Sequence, residues 1–225
     1  MRFQDAVQDA RAITYAAIQA EPVVARAAGL LGDATLEQRL LARGVMNGES
    51  LDPDGWRTMF PTLFGPTVEP SALERSEAIL TVSLAIADRG AQTRDQLRGA
   101  LVEALTVELL GRRFDHAEIR RERRILFDGV RAEVHPYDVT VERSGASEAH
   151  DCKWGARGIN ADVLHQLDDA RAHAAEEDER LTVGLVVFDA ARSCRVRLAA
   201  QTAPTTGIGL VTLETLDRLA LEPSR

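Results

Sequence analysis

PYDVTVERSGASEAHDCKW, residues 136–154, reads as two alternating runs on either side of a Ser-Gly pair. Alternation of apolar and polar residues has the period of a strand, and Ser144-Gly145 has turn chemistry, so the stretch predicts a β-hairpin. A two-residue loop at Ser144-Gly145 sets Asp138 opposite Asp151. A loop longer by two residues sets Asp138 opposite Lys153 instead. Either register leaves Asp138, Asp151 and Lys153 on one face, because side-chain direction repeats every two residues. Facing aspartates have Cβ atoms roughly 4.5–5.5 Å apart, where like charges destabilise the pair. A hard divalent cation offsets that repulsion and keeps coordination positions for water and phosphate. Lys153 is the only lysine among 27 lysines and arginines. A compact ammonium differs in shape and acidity from guanidinium, so chemistry at that position accounts for the exception. A surface hairpin with salt-bridged Asp and Lys has the same letters, and that reading stays open beside the first.

Working outward, residues 117–127 (AEIRRERRILF) predict a strand before the hairpin, which itself covers residues 133–143 and 147–154. Asn160 is placed to cap a helix over ADVLHQLDDARAHAAEE, and LTVGLVVFD at 181–189 reads as a strand buried on both faces. RVRLA (195–199) and GIGLVTL (207–213) read as further short strands, and ETLDRLALE (214–222) as a closing helix. Toward the N-terminus the spacing is helical. Helices are expected over residues 4–19, from a Thr35–Gln38 capping box, from a Ser71–Glu74 box and from a Thr93–Gln96 box to Gly111, with a loop at 51–70. The expected class is α/β: a helical N-terminal region, residues 1–92, followed by a domain at 93–225 with a mixed central sheet flanked by helices.

The bulk composition narrows the function classes. A formal net charge of −8 argues against a surface attracted as a whole to nucleic acid, though not against a local basic groove. Arg120, Arg121, Arg123 and Arg124 make one basic run, whose alternative role is to protect an exposed strand edge by charge. No apolar run approaches the length of a membrane span, and the first residues lack a secretory core, so the expected location is the cytoplasm. Two cysteines provide neither a disulfide framework nor a zinc cluster. His135 and His150 flank the aspartates, but strand alternation assigns both to the other face and no zinc spacing accompanies them. Cys152 and Trp154 alternate away from Lys153 and are expected in the core.

The residues PYD at 136–138, a short hairpin and DCK at 151–153 resemble the PD-(D/E)XK signature of the restriction-endonuclease-like superfamily, in its Mrr-like branch. GALVEALTVELLG resembles the helix that precedes the core there, which carries the family's glutamate onto Glu103, with Glu108 as the competing position. Gln166, in VLHQLDDA, stands where relatives carry a glutamine on the helix after the lysine strand. The resemblance covers roughly residues 93–220 and departs in one respect: Pro136 precedes Asp138 by two positions rather than one.

That resemblance implies a restriction-endonuclease-like core and metal-dependent hydrolysis of a phosphodiester. Asp138, Asp151, the Cys152 carbonyl and Glu103 would hold Mg²⁺ or Mn²⁺, Lys153 would orient or deprotonate the attacking water, and Gln166 would position it. Arg121, Arg123 and Arg157 are the expected phosphate contacts. The implied activity is that of a DNA endonuclease in restriction, repair or antiviral defence. The alternatives are a silent nucleic-acid-binding module or a protein-interaction module on the same fold. The N-terminal helices would serve a homodimer or a larger complex, and no membrane partner is expected.

Overall fold

The computed structural model describes residues 1–48, 50–129 and 135–221. The chain divides into two compact units, one of residues 13–105 and one of residues 1–12 with 106–225. Both the division expected at residue 92 and the observed one at 105 fall on a single helix, Ala91–Leu110.

The unit at 13–105 is helical. Its helices are α1 (Ala10–Gln19), which begins in the other unit, α2 (Pro22–Gly32), α3 (Leu36–Asn47), α4 (Pro53–Met59), α5 (Pro61–Phe64), α6 (Pro70–Ala87) and most of α7 (Ala91–Leu110). The capping box at the start of α3 forms as the sequence indicates, with Thr35 and Gln38 satisfying each other's backbone amides. The box expected at Ser71 does not form. Pro70, whose fixed φ suits the first helical position, moves the start forward, and the Glu69 side chain accepts from the Ser71 N–H. The expected loop at 51–70 contains α4 and α5, each opened by a proline. Helices α2 and α3 pack on α6 around Leu31, Leu41, Val45, Ile79 and Ile86. Buried Arg39 donates to the carbonyls of Leu31 and Gly32 at the end of α2.

The other unit is built on a six-stranded mixed sheet in the order β1 (Arg2–Asp5), β2 (Ile119–Leu126), β3 (Tyr137–Val141), β4 (Ser147–Lys153), β5 (Leu181–Val187), β6 (Ile208–Val211). β1 to β4 are antiparallel neighbours, whereas β4, β5 and β6 run parallel. Helical spacing predicts a helix from residue 4, but residues 2–5 pair with β2 and cover its edge, a tertiary preference that overrides that spacing. Residues 133 and 134 of the expected hairpin strand lie outside the described residues. RVRLA is also corrected: it lies in helix α9 (Ala191–Ala199), which carries the chain between parallel β5 and β6. A parallel connection needs a crossover, and Val196, two-thirds exposed, has no buried face to alternate with.

Helix α8 (Ala161–Glu176) is capped by Asn160, whose side chain accepts from the Val163 N–H at 3.0 Å. Its Leu164, Leu167, Ala170 and Ala174 repeat at helical spacing and pack with Ala149, Val183, Leu185 and Val187. One face of β4 and β5 is thereby covered by α8. The chain closes with a 3-10 segment, Leu213–Ala220, where a helix was expected. Among the described residues no helix is long and apolar enough to cross a membrane.

Candidate active site

The β3–β4 hairpin takes the shorter register, with Val139 opposite His150 and Thr140 opposite Ala149, turning through Gly145 at φ +85°. Continued by one residue, that register sets Asp138 beside Asp151. The β2–β3 ladder pairs Arg121 with Val139 and Arg123 with Tyr137, so the residue between, Glu122, stands beside Asp138. Three carboxylates therefore lie abreast on β2, β3 and β4, and carboxylate oxygens of Glu122 and Asp138 lie within 4.8 Å of one another. Regular pairing lapses along this row. Glu122 adopts φ +52°, a left-handed conformation that costs a non-glycine residue about 1–3 kcal/mol and gathers at functional sites.

Glu122, Asp138, Asp151, Lys153 and Gln166 line one cavity of about 380 Å³, together with His135 and the first turn of α8. Lys153 is ion-paired with Asp151, and its Nζ lies 3.8 Å from Asp138 Oδ2. The Cys152 N–H donates to the same Asp138 oxygen at 2.5 Å, which fixes the carboxylate against β4. Burial pushes the Asp151 carboxyl above its ordinary range, outweighing the opposing pull of Lys153 and His135. Burial acts on Lys153 in the opposite sense, but Asp138 and Asp151 overcome it and hold the ammonium above its ordinary value. In this arrangement Lys153 is a cation, suited to holding an anion or a water rather than to removing a proton.

The stem of Lys153 is held by a glycine. A Cβ at Gly158 would lie 2.8 Å from Lys153 Cδ and 3.0 Å from its Cβ, so the turn after β4 closes on the lysine only because that position lacks a side chain. Buried Asp189 anchors the same turn by accepting from the Ala156 N–H at 3.0 Å. Gln166 donates to the His135 carbonyl at 3.1 Å, and the Tyr137 hydroxyl donates to the Gln166 carbonyl at 3.2 Å. α8 is thereby tied to the start of the strand that carries Asp138.

Glu103 belongs to the helical unit, where it is buried and its carboxylate accepts from the Tyr15 hydroxyl and, at 2.6 Å, from Gln19 Nε2. Glu108, half-buried near the end of α7, is ion-paired with Arg112 just beyond it. Arg123, an expected phosphate contact, is engaged by carboxylates within the sheet. It is ion-paired with both Asp5 and Glu142, with its side chain 13% exposed, and it clasps β1, β2 and the end of β3. Arg157 is exposed and Arg121 half-buried, and neither has an ion pair among the described residues. His135 lines the carboxylate cavity instead of the opposite face, because it precedes β3 and escapes strand alternation. His150 does lie on the opposite face, with Cys152, which packs against Thr106 at 3.4 Å. Trp154, expected in the core, is half-buried and stacks on buried Phe188 with ring centroids 5.0 Å apart.

Sequence reasoning missed Glu122 and Gly158. Glu122 has one faint signal, a single acid inside a run of arginines. Gly158 has none, because its role depends on how a loop returns to Lys153.

No protein-family model matches the chain, and no curated protein matches it. Among solved structures it is similar to protein VC1899 from Vibrio cholerae, with a TM-score of 0.49 and 16% identity over 97% of this chain and 56% of that one. The chain thus spans little more than half the length of that protein.

The donor chemistry of the carboxylate row fits a hard divalent cation. Its atoms are carboxylate oxygens without thiolate, set beside one ammonium in a partly dehydrated pocket.

Proposed function

We propose that the chain is a metal-dependent phosphodiesterase of the PD-(D/E)XK type that cleaves nucleic acid, with DNA as its substrate. The observation that carries this reading is the row Glu122, Asp138, Asp151 with the lone lysine beside it in one cavity. An ion pair needs one carboxylate for one ammonium, and here three are gathered around Lys153.

Asp138 and Asp151, with Glu122, would hold Mg²⁺ or Mn²⁺, which when bound supplies Lewis-acid polarisation of a phosphoryl oxygen and easier ionisation of water. The chain's own groups then divide the remaining work. The Lys153 ammonium faces the carboxylates and offers its N–H donors to the charge that accumulates on the phosphoryl oxygens during attack. The Gln166 side chain, braced by the His135 carbonyl, closes one wall and limits where water can stand. The Cys152 N–H keeps Asp138 in one orientation, so the row needs little rearrangement as negative charge enters. Arg121 and Arg157 are the cations available for the flanking phosphates, and such contacts position a duplex without reading its sequence.

The test is cleavage of plasmid and linear DNA in Mg²⁺, Mn²⁺ or EDTA by the wild-type chain and Lys153→Ala. Metal-dependent cutting that disappears in the variant supports the reading. Equal cutting by both proteins removes Lys153 from the chemistry. Binding without cutting under every condition would favour the nucleic-acid-binding alternative.

A further inference from the structure

The segment that carries the chain away from the carboxylate cavity comes back to it. Lys153 and Asn160 both line the cavity, and the loop between them contains a single 3-10 turn, Ala156–Gly158. Arg157 stands in that turn and is exposed. The loop is fastened to α9 at both ends of the turn. Asp189, two residues before the helix, accepts from the Ala156 N–H at 3.0 Å, and Arg197 Nε donates to the Ile159 carbonyl at 2.9 Å. Parallel pairing of Lys153 with Val187 brings the start of α9 to the end of the sheet where Lys153 stands.

The rotation of α9 is set by its core side. Cys194 is buried, and Leu198, one turn on, packs against the same cluster. The outward face therefore presents Arg192, Arg195 and Val196, all exposed. Arg192 has no ion pair among the described residues, and Arg195 has Glu214 as its acidic neighbour. Exposed Arg89 and Arg143, by contrast, are paired with Glu21 and Glu118. Acids are also missing from the surrounding chain. Residues 152–161 and 190–213 contain none, in a protein with 35 aspartates and glutamates and a net charge of −8. Asp189 and Glu214 lie at the start of α9, where they accept from the Ala190 and Ala191 N–H groups. The loop and the helix thus make a locally cationic surface on an acidic protein, and such a surface attracts an extended anion.

Resting on the phosphodiesterase reading of the cavity, we propose that α9 is a platform for the nucleic-acid backbone beyond the point of cleavage: the strand leaves the carboxylate cavity over Arg157, and its next phosphates lie on Arg192 and Arg195. Contacts of this kind fix the path of the substrate and are indifferent to its sequence. The same helix holds the loop whose Gly158 seats the stem of Lys153, so the platform and the lysine keep a fixed spacing while the substrate is bound.

The test uses the full chain and a fluorescent duplex of mixed sequence, with binding read by anisotropy in EDTA over a series of salt concentrations. Cleavage by the wild type in Mg²⁺ is measured separately. The double variant Arg192→Gln, Arg195→Gln is expected to bind about tenfold more weakly and to reduce the slope of log affinity against log salt by about 2. The double variant Arg192→Lys, Arg195→Lys keeps both charges and is expected to retain most of the wild-type slope, because a phosphate accepts a point charge. Arg180→Gln removes an exposed charge just before β5, at the other end of that strand, and is expected to leave the slope as it is. An undiminished slope in the Gln double variant, an equal loss per charge in Arg180→Gln, a Lys double variant as weak as the Gln one, or no binding of the duplex by the wild type would each overturn the platform. Arginine-dependent binding by a wild type that never cuts would keep the platform and overturn the cleavage reading. Metal-dependent cutting with wild-type binding in the Gln variant would do the reverse.

Discussion

Glu148 and Asp151 belong to the same strand and to opposite faces of it, and their surroundings treat a negative charge in opposite ways. Glu148 accepts two hydrogen bonds from Arg113 and one from His150. Burial raises its pKa, but His150 and Arg113 outweigh burial and hold the carboxyl below its ordinary range. Asp151 shares one ammonium with Asp138, and burial prevails, so its carboxyl is pushed up. A satisfied carboxylate is a structural element. A carboxylate that burial disfavours, in a row that shares one ammonium, is where the proposed reading places a cation.

The largest effect that separates the two faces is on catalysis. Lys153→Met keeps much of the aliphatic stem against Gly158 and removes the ammonium. Cleavage is expected to fall by about 10²–10³-fold, the usual result of deleting one donor to a developing oxyanion, with little change in the melting midpoint. The same loss from Glu148→Gln without destabilisation would erase the contrast, because the supposedly structural face would then take part in the chemistry.

Next in size is the stability contributed by Glu148. Replacing it with Gln breaks a largely buried, charge-assisted network and is expected to cost about 2–3 kcal/mol at neutral pH by urea denaturation. The sign with pH follows from the depressed folded pKa. The contribution is present above the ordinary carboxyl value of 4.5 and is lost as pH falls through the folded value. The difference between wild type and variant should therefore shrink on acidification. A constant difference would mean that packing, not charge, carries the effect.

Asp151 should behave in reverse and more weakly. Its raised pKa makes ionisation a penalty that is complete above the folded value and relieved as pH falls below it. Without divalent ions, Asp151→Asn is expected to raise stability at neutral pH by about 1 kcal/mol, with the gain vanishing in acid. In the wild type Mg²⁺ is expected to raise the melting midpoint, as any ligand of the folded state does, and in the variant to raise it far less. A variant less stable than wild type in EDTA would mean that the Asp151–Lys153 pair is net favourable and the row is not strained.

The difference between the two faces also marks what could be read in the sequence. The hairpin and the shared face of Asp138, Asp151 and Lys153 follow from period-two alternation around Ser144-Gly145, a local rule that the structure obeys, whereas the choice between its two registers needed the structure. The α8 cap at Asn160 and the buried β5 were legible for the same reason. Glu122 was not, because its membership depends on the pairing of β2 with β3, whose intervening loop does not fix the register from sequence. Strand β1 was hidden inside a helical pattern and revealed by its partner across the sheet. The facing of Gly184 and Gly209 depends on a parallel register set by two crossovers, which no local pattern encodes. What remained illegible was non-local pairing, and the illegible residues are those added to the ends of each row.

The smallest expected effect tests the arginines, which the sequence treated as one run and the structure separates. Arg121 and Arg157 have no ion pair among the described residues, whereas the Arg123 guanidinium is engaged by Asp5 and Glu142, which raise its pKa. A guanidinium already neutralised by two carboxylates releases few counterions from DNA. Arg121→Ala and Arg157→Ala are each expected to weaken duplex binding in EDTA by a few-fold, uniformly across sequences, and to reduce the slope of log affinity against log salt by about 1. Arg123→Ala should leave that slope unchanged and instead lower the melting midpoint, since it unlocks the clasp across three strands. Were Arg123→Ala to reduce the salt slope like the others, its carboxylate partners would have to release it on binding, and β1 would then be part of the nucleic-acid surface rather than a cover for the sheet edge.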